Sequence, residues 1–328
     1  MTDDSLASWV PRLAGHTVVV LGDVFLDEYL VGRPTRLSRE APVPVLELAR
    51  RAYLPGGAAN PARNVAALGG HARQVGLIGD DPAAERLRAL LRAAHIDDES
   101  LVIDAARATT TKTRVVAEGT LRFPQQVARI DHVDRRAVDD ATQSRLMKAL
   151  EHAVPGAQAL LVSDYKAGVV SDGLIAASRD LAAAHDLFLA VDSQGDLAKF
   201  RGFHLVRANQ RDTEATLGWA LTSEDDFRRA GEELLRDLGA QAVLIGRGGE
   251  GMSLCEPGAY HHIPAANRTE VYDVTGAGDT VAAVVTLAVA AGASFLEAAQ
   301  LANYAAGLVV RKLGNAVPTP DELTRAIT

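Results

Sequence analysis

The sequence predicts an α/β protein of the doubly wound kind, a mostly parallel sheet flanked by helices, with a small β lid. Three observations carry that prediction. Short β-rich apolar runs alternate with amphipathic stretches through most of the 328 residues; two proline- and threonine-bearing segments break the alternation; and a long, almost wholly apolar helix follows a glycine-rich turn.

In chain order, strands are expected at 17–21, 73–78, 159–162, 187–191, 204–206 and 242–245. Each is a continuous apolar run, as suits a strand covered on both faces. Helices are expected at 60–68, 82–94, 139–152, 171–184, 224–238, 277–291 and 295–312, where apolar positions recur near the 3.6 period. Strand and helix in alternation build a parallel sheet with helical crossovers. Ligands of such sheets gather at the carboxyl ends of strands, where Asp164, Asp192, Asn209 and Gly246 fall. The stretch 29–55 carries Pro34, Pro42 and Pro44 among Val43, Val45, Leu46 and Leu48, which bars a helix and favours extended chain. The stretch 109–133 has the same character. Together they are expected to form a lid on one domain spanning 1–328, with no separate linker. Neither an internal repeat nor low-complexity sequence is evident.

Composition narrows the function classes. With 34 basic and 42 acidic residues the net charge is −8, so no domain-wide basic excess is available for nucleic acid or an anionic membrane. The single cysteine, Cys255, excludes an intrachain disulfide, which fits a reducing compartment, and no Cys/His cluster suggests a structural zinc. The amino terminus is acidic where a secretory signal would be basic, and the apolar run 281–293 is too short to span a bilayer. A cytoplasmic, soluble protein is expected.

The run from Val271 to Thr280, Val-Tyr-Asp-Val-Thr-Gly-Ala-Gly-Asp-Thr, is the richest in chemistry. The first amides of a helix lack intrahelical partners and carry the positive end of its dipole, so Gly276, Ala277 and Gly278 are candidates to receive phosphate oxygens. Their minimal side chains permit close approach. Asp279, in the same turn, is placed to accept a proton from an attacking hydroxyl. The plainer alternative is that it only complements the dipole.

Gly246-Arg-Gly-Gly-Glu-Gly251 fits the dinucleotide pattern G-x-G-x-x-G, yet it runs into β-like Met252-Ser-Leu-Cys255 rather than opening a helix. A hairpin turn is the better reading. No P-loop pattern occurs.

From Val18 to about Leu323 the chain resembles a carbohydrate kinase of the ribokinase (PfkB) family. Pro55-Gly-Gly-Ala-Ala-Asn60 and Asp273-Val-Thr-Gly-Ala-Gly-Asp-Thr280 match that family's two signatures. Within it, the chain is most similar to kinases of D-glycero-D-manno-heptose 7-phosphate, through Gly22-Asp-Val-Phe-Leu-Asp27, Ser38-Arg-Glu-Ala-Pro-Val-Pro-Val45, Thr111-Lys-Thr-Arg-Val115, Arg129-Ile-Asp131 and Ser163-Asp-Tyr165. The resemblance implies ATP and Mg²⁺ as cofactors, with Asp279 as base and 276–278 as anion hole. It places Asp27, Gly56, Gly57 and Asn60 on sugar hydroxyls, although Asp27 also suits a turn and Asn60 a helix cap. Asn209, Gly248 and Asn303 fall in or near the nucleotide site, Asp212 where Mg²⁺ would be reached through water, and Asp273 and Thr275 where several relatives hold K⁺. Lys112, Arg114 and Arg129 are candidate ligands of a substrate phosphate, against the alternative of solvated surface charge.

Departures from the resemblance bear on the acceptor. Asp192-Ser-Gln194 stands where the heptose kinases carry Asp-Pro-Lys, so a cation is missing there, and Asn209-Gln-Arg-Asp212 stands for Asn-x-x-Glu. The expected reaction is transfer to the anomeric hydroxyl of heptose 7-phosphate, giving the 1,7-bisphosphate. A kinase of another sugar, a ketohexose or pentose, and a non-catalytic sugar-binding regulator are the alternatives. The chain is expected to supply a kinase step alone and to pair as a homodimer through its lid.

Overall fold

The computed structural model describes residues 6–119, 124–267, 271–312 and 314–328. Its strands in chain order are β1 (Thr17–Gly22), β2 (Val24–Leu37), β3 (Pro44–Gly57), β4 (His71–Ile78), β5 (Leu101–Ile103), β6 (Thr111–Ala117) and β7 (Gln125–His132). They continue with β8 (Ala159–Asp164), β9 (Phe188–Ser193), β10 (Leu205–Asn209), β11 (Ala242–Gly246), β12 (Met252–Glu256) and β13 (Ala259–Ile263). Among the described residues a nine-stranded sheet runs β13-β12-β11-β10-β9-β8-β1-β4-β5. From β11 to β5 its pairs are parallel, and β12 and β13 add an antiparallel edge.

The helices are α1 (Ala59–Ala67), α2 (Pro82–Ala93), α3 (Asp140–Ala153), α4 (Asp172–His185), α5 (Gln210–Leu217), α6 (Glu224–Leu238), α7 (Ala277–Ala290), α8 (Phe295–Val309) and α9 (Pro320–Ile327). The two-residue period of β1 sorts them into two layers. Val18 and Val20 join a core with Leu87, Val284, Leu287 and Leu301 from α2, α7 and α8, whereas Val19 and Leu21 face Leu146, Leu174 and Leu234 from α3, α4 and α6. Helix α7 is buried from Asp279 through Ala288, as its nearly unbroken apolar sequence requires. Its amino end is therefore held by the core of the protein.

A second sheet, ordered β3-β2-β6-β7, forms the lid. Strand β2 begins two residues after β1 ends, so the lid grows directly out of the carboxyl end of a central strand. Its register sets Asp27 beside Lys112, Tyr29 beside Arg114, Lys112 beside Asp131 and Arg114 beside Arg129. Pairing shifts at Val31/Gly32 and Pro34/Arg36 mark bulges in the β2–β3 ribbon.

Two helices and one strand among the described residues were not anticipated. Helix α5 buries only Thr213 and so lacks an apolar stripe; α9 buries only Leu323 and Ile327 in its eight residues, and β5 is three residues long. The glycine-rich 246–251 segment enters an antiparallel strand, with Gly246 opposite Met252, as the hairpin reading expects.

Candidate active site

Asp279 is the third residue of α7 and is 5 % exposed. The amide of Asn60 donates to its Oδ2 at 2.8 Å and the Tyr165 hydroxyl donates to its Oδ1. Burial, reinforced by the charge of Asp192, pushes the Asp279 carboxyl up to about 7, against the lowering effect of Asn60, Tyr165 and Arg207. A carboxyl in that range is suited to general-base work near neutrality. The Tyr165 phenol is raised by its own burial and by Asp279, so it stays a hydrogen-bond donor.

Gly276 caps α7 with φ +78°, a conformation glycine adopts without penalty. Any side chain there would also meet Nδ2 of Asn60 at 2.6 Å. The Ala277 amide donates to the Val274 carbonyl, closing a turn, and that of Thr280 to Gly276. Among the described residues the amides of Gly276, Gly278 and Asp279 have no protein acceptor. The free donors at this helix end thus differ by one residue from the expected Gly276–Gly278 set.

Asn60 is the second residue of α1, whose cap position is Ala58. Its side chain reaches Asp279 instead of capping the helix. Asp27, buried on β2, accepts from Arg114 at 2.6 Å and from Asn315, and it packs so tightly on Gly56 that a Cβ there would lie 2.2 Å from its Oδ2. Gly57, at φ +57°, meets the Asp23 carbonyl in the same way. Asp23 accepts from the amides of Tyr165, Ala167 and Val169 and so shapes the turn that presents Tyr165.

Two clefts meet at this point. The larger, about 690 Å³, lies under the lid and includes Asp27, Lys112, Arg129, Tyr165, Gly276 and Asp279 in its wall. The smaller, about 340 Å³, is lined by Gly248, Ala266, Val281, Asn303, Gly307 and Val310 among others. Arg207, Asn209, Val274 and Gly278 belong to both.

A profile described as "pfkB family carbohydrate kinase" matches residues 16–322. The chain belongs to the pfkB family of carbohydrate kinases. It is 43% identical over 327 residues to the bifunctional protein HldE of Caulobacter vibrioides, covering 98% of this chain and 65% of that protein. It is 41% identical to the HldE of Azorhizobium caulinodans, covering 94% and 64%. The chain thus spans just under two thirds of these relatives' length. Among solved structures, phosphofructokinase-2 from Escherichia coli in complex with substrates and products superposes with a TM-score of 0.79 at 21% identity, covering 95% and 98%. Arabidopsis thaliana ribokinase with ribose and ATP gives 0.72 at 18%, covering 96% and 99%. These last two show a shared fold.

In this pfkB kinase the three lid cations have different surroundings. Arg114 is buried against Asp27. Arg129 is exposed on β7 and makes a two-pronged ion pair with Asp131 at 2.9 and 3.0 Å. Lys112 lies over the Phe25 ring, 3.9 Å from its centroid, and among the described residues no carboxylate pairs with it. Burial lowers its ammonium from the usual range. Asn209 caps α5 by accepting from the Asp212 amide and donates back to the Asp212 carboxylate. Asn303 ties the chain at 264–266, donating to the Pro264 carbonyl at 2.8 Å and accepting weakly from Ala266. The carboxylate of Asp273 accepts from the amides of Thr275 and Gly314, and Gly248 sits in a turn at φ +59°.

The residues singled out in the sequence did not include Arg207 or Asn315 as site residues. Arg207 lies opposite Asp192 in the β9–β10 register and bonds it at 2.7 Å. The register thus sets a cation beside Asp192 from the neighbouring strand, a relation visible only once register is known. Asn315 follows α8 in a loop that no periodicity marks.

Proposed function

We propose that this protein transfers the terminal phosphoryl group of ATP to the anomeric hydroxyl of D-glycero-β-D-manno-heptose 7-phosphate. The observation that carries this is the meeting of a charged cleft and an apolar cleft at a buried, near-neutral carboxyl beside unpaired amides. Asp279 takes the proton of the acceptor hydroxyl as that oxygen bonds to the terminal phosphorus and the bond to the β-phosphate oxygen breaks, leaving ADP. The amides of Gly276, Gly278 and Asp279 receive the phosphoryl oxygens. Asn60 and Tyr165 orient the base, and a sugar entering under the lid would take over the Tyr165 hydrogen bond.

The acceptor assignment rests on the cation Lys112, which among the described residues makes no ion pair with a carboxylate although Asp27 and Asp131 lie near enough to act on its charge, with Arg129 at the cleft rim. They would receive the 7-phosphate, while Asp27 and Gly57, which line the cleft, would face the hydroxyls, Gly56 keeps Asp27 in place, and Asn60, buried behind Asp279, would act on the sugar through the base. Gly248 and Asn303 shape the pocket for the adenine. Mg²⁺, when bound with the nucleotide, would supply neutralisation of the phosphate charge. Asp212, held by Asn209 near Asp192, fits a role in contacting its water shell; the described residues hold no cluster of three metal-ligating side chains, as suits an ion that keeps several waters. Asp273 and Thr275 are the candidates for K⁺, tested by replacing K⁺ with tetramethylammonium. Exposed Leu37, Leu48 and Ile130 on lid strands favour pairing of two lids, tested by sedimentation of the Ile130→Asp variant.

Coupled ADP detection over a panel of sugars tests the acceptor. Turnover of heptose 7-phosphate with a kcat/KM at least tenfold above fructose, ribose and fructose 6-phosphate is expected. Turnover of fructose or ribose without heptose 7-phosphate rejects the assignment.

A further inference from the structure

Arg207 is the charged side chain that both clefts share. Its guanidinium spends one Nη1 bond on Asp192, while its buried Nε has no hydrogen-bond partner among the described residues. A Cβ built on Gly278 would lie 2.8 Å from Nη1 and 2.9 Å from Nη2, so the planar fork rests against the helix end whose amides are free. A guanidinium has five donors in fixed geometry and suits phosphoryl oxygens. Gly278 is small because the arginine occupies the space a side chain would take.

We propose that Arg207 is a catalytic residue that contacts the phosphoryl group as it passes between the two clefts, stabilising the charge on its oxygens together with the amides of α7. This rests on the phosphoryl-transfer reading above and adds to it a cation from β10, held in aim by Asp192. The competing account is purely structural: Arg207 would only neutralise the buried Asp192.

Steady-state kinetics on Arg207→Met, Arg207→Lys and the double variant Asp192→Asn/Arg207→Met separate the two, using whichever sugar the wild-type protein phosphorylates. Loss of one such donor typically costs about 10²–10³ in kcat. We expect a fall of that order for Arg207→Met, at least tenfold for Arg207→Lys, and KM for both substrates within about fivefold. The double variant is expected to stay as slow as Arg207→Met, and free guanidinium ion to restore part of the rate to Arg207→Ala. Wild-type kcat in Arg207→Lys or recovery in the double variant overturns the proposal. Melting curves and nucleotide affinity of Arg207→Lys confirm that the fold is kept. A wild-type protein that phosphorylates no sugar would instead refute the kinase reading itself, before any variant is compared.

Discussion

The two clefts are built from opposite materials. Under the lid the walls carry Asp27, Lys112, Arg114, Arg129, Asp131 and Asp192; on the other side of Arg207 they are largely glycine, alanine and valine. One cleft therefore recognises its occupant by charge and hydrogen bonding, the other by shape and apolar contact. The difference implies that substitutions on the two sides act on different kinetic constants, and that only residues at the junction act on kcat alone.

The largest break in this comparison is expected at the junction. Asp279→Asn should lower kcat by on the order of 10³ or more with nucleotide affinity kept within a few-fold, since the amides and the apolar cleft remain. Isothermal titration with ATP beside turnover measurements checks both halves. Equal turnover would remove Asp279 from the role of base.

Next in size are the acceptor-side cations. Lys112→Met keeps a similar length and packs on Phe25, so its effect isolates the charge. A hydrogen bond to a charged group contributes about 1.5–3 kcal/mol, so KM for a phosphorylated acceptor should rise about 10–100-fold with KM for ATP unchanged. A rise of the same size for an unphosphorylated sugar would show that Lys112 does not read the phosphate. Arg129→Ala should act in the same direction but less, because Asp131 and solvent already offset its charge.

On the opposite side, Asn303→Leu removes the brace to the chain at 264–266 while preserving bulk. KM for ATP should rise about 3–10-fold with the acceptor constants unmoved. A change confined to the acceptor would erase the division between the clefts.

How far this site was legible in the sequence follows from the physics of each part. The helix-opening run Gly276-Ala-Gly-Asp279 announced itself because its function depends on consecutive residues. The core strands were visible because burial on both faces writes continuous apolar runs, as in Val18–Val19–Val20. Strand register is a tertiary fact, so the pairing of Arg207 with Asp192, from strands fifteen residues apart in sequence, left no local trace. The same holds for Asn315 on Asp27, which joins residues 288 positions apart. The lid cations showed the reverse case: Lys112, Arg114 and Arg129 looked alike in sequence, and only burial and partners distinguish a structural ion pair, a rim charge and an unpaired ammonium.

The subtlest expected effect concerns stability. The Asp279 carboxyl lies at about 7 in the folded protein against roughly 4 in an unfolded chain. The fold therefore favours the protonated form, and this contribution is fully present below about pH 4 and is lost as pH rises through 7. At about 1.4 kcal/mol for each tenfold change in proton affinity, that difference amounts at most to on the order of 4 kcal/mol. Asp192, raised by burial and by Asp212 and Asp164, drifts in the same direction but is countered by Arg207. An amide at 279 carries no charge to bury, so the melting temperature of Asp279→Asn relative to the wild-type protein should climb by a few degrees between pH 5 and pH 8, while wild-type kcat/KM falls tenfold per pH unit below about pH 7. Parallel melting curves for the two proteins over that range would show that the carboxyl is ionised in the fold without cost, and the base would then owe its activation to the substrate rather than to burial.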